Sequence, residues 1–224
     1  MKIFIVALGT LFVFVGYFIL FPKGVTQVAE DTAPISSDFL SLGSEISALV
    51  SQEISAAEES GLLYMREEEK LARDVYITLY EKWSLPIFSN ISQSEQTHTE
   101  SVRAILVKYS IQDPVSDDTI GVFTNTELSK LYADLTTQGM VSAAEALAVG
   151  AIIEDLDISY LQEQIAMTDN EDIRLVYGNL MRGSRNHLRS FIAQLSSRDV
   201  IYKPQYITQK EFNSIISSPK ETLK

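Results

Sequence analysis

Leu62, Met65, Glu69, Ala72, Tyr76, Leu79 and Trp83 recur at alternating steps of three and four, and the stripe they draw is apolar except at its centre. Such spacing puts all of them on one side of an α-helix. Phe88, Ile91, Glu95, His98, Val102, Ile105 and Tyr109 repeat the pattern, again with a polar centre. Pro86 divides the two segments, so they read as an antiparallel helical hairpin. Folding back at that turn sets Glu69 at about the height of Glu95 and His98, given a rise of ~1.5 Å per residue. A carboxylate and a Glu-x-x-His pair then meet inside an apolar seam. Bare burial of such groups is strongly unfavourable, and a metal ion is the obvious compensation.

The second half of the chain reads the same way. Ser142 caps a third long helix with the stripe Ala143, Leu147, Gly150, Glu154, Asp157, Leu161. Asp169 or Asn170 caps a fourth, with Ile173, Tyr177, Leu180, Ser184, His187, Phe191. The two halves look like repeats of one hairpin. Between them Leu106 to Ile120 closes at Asp113-Pro114, and Asn125 caps a short helix from about Thr126 to Gln138 that Gly139 ends. A connection of this length lets the second and third long helices run parallel. The expected fold is an all-α four-helix bundle over 61–218 with a long crossover, accessory helices and a C-terminal strap that ends in a short helix.

Ile3 to Phe21 carries no charge, which fits an N-terminal transmembrane helix. We expect a signal-anchor or transmembrane segment over 1–23, a linker over 24–36 and an accessory helix over 37–60. The two-residue tail before the apolar run favours a membrane-anchored chain with its bundle exported. Secretion after signal cleavage is the alternative.

Six residues are candidate metal ligands: Glu69, Glu95, His98, Glu154, Asp157 and His187. Four carboxylates and two imidazoles suit iron, or alternatively manganese, better than zinc or copper, and two ions better than one. The chain has no cysteine, which excludes thiolate sites, iron–sulfur clusters and disulfides. Its net charge of −12 and lack of a basic patch argue against nucleic acid as a partner. Against this stand plainer readings: an exposed Glu95/His98 pair, a solvated acidic face at Glu154 and Asp157, and a core histidine at His187. Glu67 and Glu68 read as outer-face charges, Tyr76 and Tyr177 as core, and Arg182, Arg185 and Arg189 as a solvated face.

The stretch from Glu69 to Tyr76, Glu95-Gln96-Thr97-His98, and Glu154-Asp155-Leu156-Asp157 resemble the motifs of the ferritin-like di-iron superfamily, those of rubrerythrins in particular. Met65 to Tyr76, Ser94 to His98 and Gly183 to Arg189 are more closely similar to the domain of unknown function 2202 family, a resemblance that covers about Leu62 to Ile216. The superfamily resemblance implies a ferritin-like bundle with a dinuclear iron centre and oxidase or peroxidase chemistry on oxygen or peroxide. An external electron donor would be needed, and a homodimer is one assembly open to it. Ser184 departs from the superfamily pattern, which has Glu there. The alternatives are a non-catalytic protein for metal sequestration or sensing, and a metal-free structural or interaction bundle.

Overall fold

The computed structural model describes residues 37–222, and within them every regular element is an α-helix. These are α1 (Ser37–Ala48), α2 (Ala56–Trp83), α3 (Pro86–Lys108), α4 (Thr126–Gly139), α5 (Ala143–Met167), α6 (Glu171–Ser196) and α7 (Gln209–Ser217). Two hairpins dominate the packing, α2 with α3 and α5 with α6. The expected membrane segment and linker lie outside the described residues. Among the described residues no helix is long and apolar enough to cross a membrane.

Local chemistry sets the ends of these helices. Ser55 and Glu58 form a reciprocal capping box at the start of α2, an arrangement that contributes ~1 kcal/mol. Ser84, at φ 52°, closes α2 by donating its N–H to the Tyr80 carbonyl, and Pro86 then opens α3. Asn125 accepts from the amides of Glu127 and Leu128, and Ser142 from that of Glu145.

The accessory helix expected over 37–60 is shorter: α1 stops at Ala48, and residues 49–55 are not helical. The side chains around this segment account for the break. Lys108 takes the carbonyls of Ile46 and Leu49 while paired with Asp172. Gln52 accepts from the Glu171 amide at the start of α6, so Asn170 begins that helix without a side-chain cap of its own.

The connection after α3 steps along α2 in order. Arg66 pairs with Asp113, Lys70 donates to the Thr119 carbonyl, Arg73 pairs with Asp118, and Asp74 accepts from the Gly121 amide. Further on, Thr78 bonds Tyr132, and Gly139 sits against Leu79 with its carbonyl taken by Trp83. The chain therefore travels the length of α2, and α5 starts at the end where α3 starts. This strap covers the Glu67 side of α2, and Glu68 lies instead against Asp157 of α5, so neither is the outer-face charge its position suggests. Glu67 accepts from the amides of Thr124 and Asn125, and both glutamates are buried.

The apolar interior is in two parts. One gathers Tyr76, Leu79, Phe88, Leu147 and Phe191, the other Leu62, Met65, Val102, Leu161 and Val176. By position along the four long helices, the polar residues that interrupt the stripes fall between these parts.

Candidate metal centre

Glu95 is the hub of this polar layer. Its Oε2 lies 2.6 Å from His98 Nδ1, and its Oε1 lies 2.8 Å from His187 Nδ1. Glu69 Oε2 stands 3.3 Å from His98 Nδ1, and Glu154 Oε2 stands 3.6 Å from His187 Nδ1. Two triads result, Glu69–Glu95–His98 and Glu95–Glu154–His187, with Glu95 common to both. The imidazole rings stack with centroids 5.7 Å apart. Five of the six sequence candidates thus meet in these triads. The sixth, Asp157, gathers instead with Glu69 and Glu68 in a third group.

The donor atoms suit a cation. Ligands ~2.1 Å from one ion stand roughly 3 Å apart when their bonds are at right angles, which is the range of the close contacts here. Glu69 Oε1, Glu95 Oε1, Asp157 Oδ1, His187 Nδ1 and both oxygens of Glu68 are buried without a hydrogen-bond partner. The 2.8 Å approach of His187 to Glu95 lacks hydrogen-bond alignment. Buried polar atoms left unpaired are rare, and atoms converging on one point are what a metal requires.

Without a metal, protons must balance these charges. Burial raises the Glu69 and Glu68 carboxyls well above the usual range. It lifts Glu154 to about 7 against the pull of His187, and Asp157 to about 6 against the Ser184 hydrogen bond. Burial acts the same way on Glu95, but His187 and His98 outweigh it and hold that group below the carboxylate range. It acts to lower the two imidazoles, yet Glu95 and Glu154 raise His187 to about 10, and Glu95 and Glu69 raise His98 well above its ordinary value.

Surrounding groups orient the donors. Tyr76, read from sequence as core, donates to Glu154 Oε1 at 2.6 Å. Ser184 donates to Asp157 Oδ2. Tyr177 is buried in the second apolar part with no partner for its hydroxyl. At Gly183 a Cβ would lie 2.5 Å from His98 Cε1, so only glycine lets α6 approach that ring. Between α3 and α6 runs a groove of about 1200 Å³ lined by Thr97, Ser101, Asn179 and Asn186, with His98 and His187 on its wall. Glu221 of the C-terminal tail lines it too, held by Arg185 and Arg189. Those arginines are therefore a clasp for the tail as well as a surface. They bring the Glu221 carboxyl down to about 2, Arg185 contributing most, against partial burial.

The sequence also carries an interior signal for Glu68. Gly61, Tyr64, Glu68, Leu71 and Val75 form a second three-and-four stripe on α2, again broken by an acid at its centre. On a helix buried on several sides, one stripe does not exhaust the interior.

The helical bundle and its sequence belong together in a recognised family. Residues 58–219 match the uncharacterized protein domain DUF2202, and the chain belongs to that family. It is similar to the uncharacterized protein MJ0754 of Methanocaldococcus jannaschii, 56% identical over 176 residues, which is 79% of this chain and 95% of the relative. A solved structure, the crystal structure of hypothetical protein MJ0754 from Methanococcus jannaschii, superposes with a TM-score of 0.77 at 55% identity, covering 78% of this chain and 99% of the other.

Proposed function

We propose that this chain is a ferritin-like protein whose polar layer holds a dinuclear metal centre, iron in the first instance and manganese in the second. Glu69, Glu95 and His98 would hold one ion, and Glu95, Glu154 and His187 the other. The observation that carries this reading is Glu95, buried, with each carboxylate oxygen against a different imidazole nitrogen. The mixed oxygen and nitrogen donor set favours iron over zinc or copper. When bound, such a pair supplies two-electron redox chemistry on dioxygen or peroxide, so the reading is an oxidase or peroxidase served by an external electron donor.

The protein's own contribution is access, orientation and proton control. The groove between α3 and α6 leads a small polar oxidant to the histidine side of the site. Tyr76 fixes Glu154 through one oxygen and leaves the other to face His187. The apolar parts on either side exclude bulk water from the carboxylates. The N-terminal apolar run supports a membrane-anchored, exported location for the bundle.

A second reading, metal holding without turnover, is favoured by Ser184. It leaves His187 as the only donor that α6 brings to the triads. The test is metal content by mass spectrometry on the full chain, purified from iron-supplemented medium without chelators or a histidine tag. About two iron per chain, with peroxide or oxygen consumption that Glu95→Ala abolishes, is the expected result. About one ion without turnover selects the second reading. No metal after anaerobic ferrous reconstitution overturns both.

A further inference from the structure

The third acidic group, Glu68, Glu69 and Asp157, has no place in either triad beyond the shared Glu69. Glu68 is 1% exposed, and no donor reaches either of its oxygens; the one bond open to it is a proton shared with Asp157. No lysine, arginine or histidine pairs with it among the described residues, and the charges acting on it are those of Asp157, Glu69, Glu154 and Glu95. Tyr64 and Tyr160 pack beside it as a tilted ring pair with centroids 4.5 Å apart, yet neither hydroxyl bonds it. Asp157 is half satisfied: Oδ2 accepts from Ser184, while Oδ1 has no partner. A fully buried carboxylate surrounded by carboxylates is tenable only protonated or beside a cation. The donor atoms of the three residues lie within 4.8 Å of one another, close enough for one ion to reach all three.

We propose that Glu68, Glu69 and Asp157 form an all-oxygen cation subsite for a hard divalent ion, joined through Glu69 to the histidine-bearing centre. This rests on the dinuclear reading for its neighbour, but its donor set is its own. Three carboxylates with no nitrogen donor select a manganese- or magnesium-like ion, whereas each triad includes an imidazole. Ser184 makes the arrangement possible. Its short side chain brings no carboxylate from α6, so the acid facing Asp157 comes from α2.

Manganese(II) is the probe, because its anomalous scattering reports position. Crystals of the full chain soaked in manganese should show an anomalous peak bounded by Glu68, Glu69 and Asp157, besides those at Glu95. In equilibrium dialysis Glu68→Gln should bind about one manganese fewer per chain than the wild type while keeping ions at the triads. Gln keeps the shape and can donate to Asp157, so a role limited to sharing a proton would survive it. Peaks at Glu95 with none at Glu68, or an unchanged count in Glu68→Gln, overturn this inference and leave the dinuclear reading standing. No manganese at either place overturns this inference, and ferrous reconstitution then decides the dinuclear reading. Should Glu68→Gln fail to fold, the wild-type map decides, with Asp157→Asn as the second dialysis variant.

Discussion

The two hairpins carry matching apolar stripes and unequal centres. On α3 the residue three before the histidine is Glu95, and on α6 it is Ser184. Glu95 contacts both imidazoles, whereas Ser184 touches only Asp157 and its own helix at the Leu180 carbonyl. The α2–α3 hairpin brings Glu68, Glu69, Glu95 and His98, against Glu154, Asp157 and His187 from α5–α6. Negative charge is therefore concentrated on the first hairpin, and the shared position belongs to it alone. Apolar repetition builds the pair of hairpins, while one exchange at equivalent positions decides which of them reaches both imidazoles.

Glu95→Ala should break this asymmetry hardest. It removes the acid common to both triads, so metal content should fall to a small fraction of the wild type. In the metal-free protein it strips two buried imidazoles of their principal counter-charge, at a cost of about 3–5 kcal/mol. Mass spectrometry for metal and a thermal melt in chelator check the two effects. A variant that kept both ions would refute the hub role.

Metal removal comes next and has a definite pH sign. Asp157, Glu154 and His187 have folded-state values raised to about 6, about 7 and about 10. Each binds its proton more tightly folded than unfolded. The stability it contributes is complete below its unfolded value and disappears as pH rises through the folded one. Glu95 is the opposite case: its contribution is present above the unfolded value and lost as pH falls. The chelated protein should therefore lose melting temperature from pH 5 to pH 9. A metal bound by these groups would displace these protons, so the stabilisation on adding ferrous or manganous ion should be larger at pH 8 than at pH 6. A metal increment independent of pH would contradict proton displacement.

Tyr76→Phe tests the donor that orients Glu154. Loss of a buried hydrogen bond to a carboxylate costs about 1.5–3 kcal/mol, and metal at the His187 side should weaken before metal at the His98 side. Equal weakening at both, followed by titration with one and two equivalents of metal, would show that Tyr76 acts on the fold rather than on one triad.

These effects also show which features were readable in the sequence. The stripes through Glu69, Glu95 and His187 predicted helix faces correctly because a long helix buried on one side leaves a periodic trace. Asn125 and Ser142 were legible as caps because capping is local. Glu67 and Glu68 look solvent-facing by charge alone, but their burial is not local: the connection 109–125 covers Glu67, and Glu68 lies against the acids of α5. Tyr76 was legible as interior, but its hydroxyl partner lies on α5, far along the chain. The break at 49–55 depends on Lys108 and Gln52 reaching across to other helices, which no local pattern records.

The smallest expected effect belongs to Ser184→Ala, the mirror of the Glu95 substitution. The single hydroxyl proton of Ser184 is claimed by both Asp157 and the Leu180 carbonyl, so its loss leaves Leu180 in an ordinary helix and only Asp157 short of a donor. Alanine also favours the helix by about 0.5 kcal/mol over serine, which offsets part of that loss. The net cost should be about 1 kcal/mol or less, a shift of roughly 2–4 °C at most in a chain of this size. Because the Ser184 hydrogen bond is what chiefly opposes burial at Asp157, that carboxyl should rise further in the variant. Ions at the two triads should stay. If Ser184→Ala instead emptied the site as Glu95→Ala should, the hairpins would be functionally equivalent and the centre not lopsided.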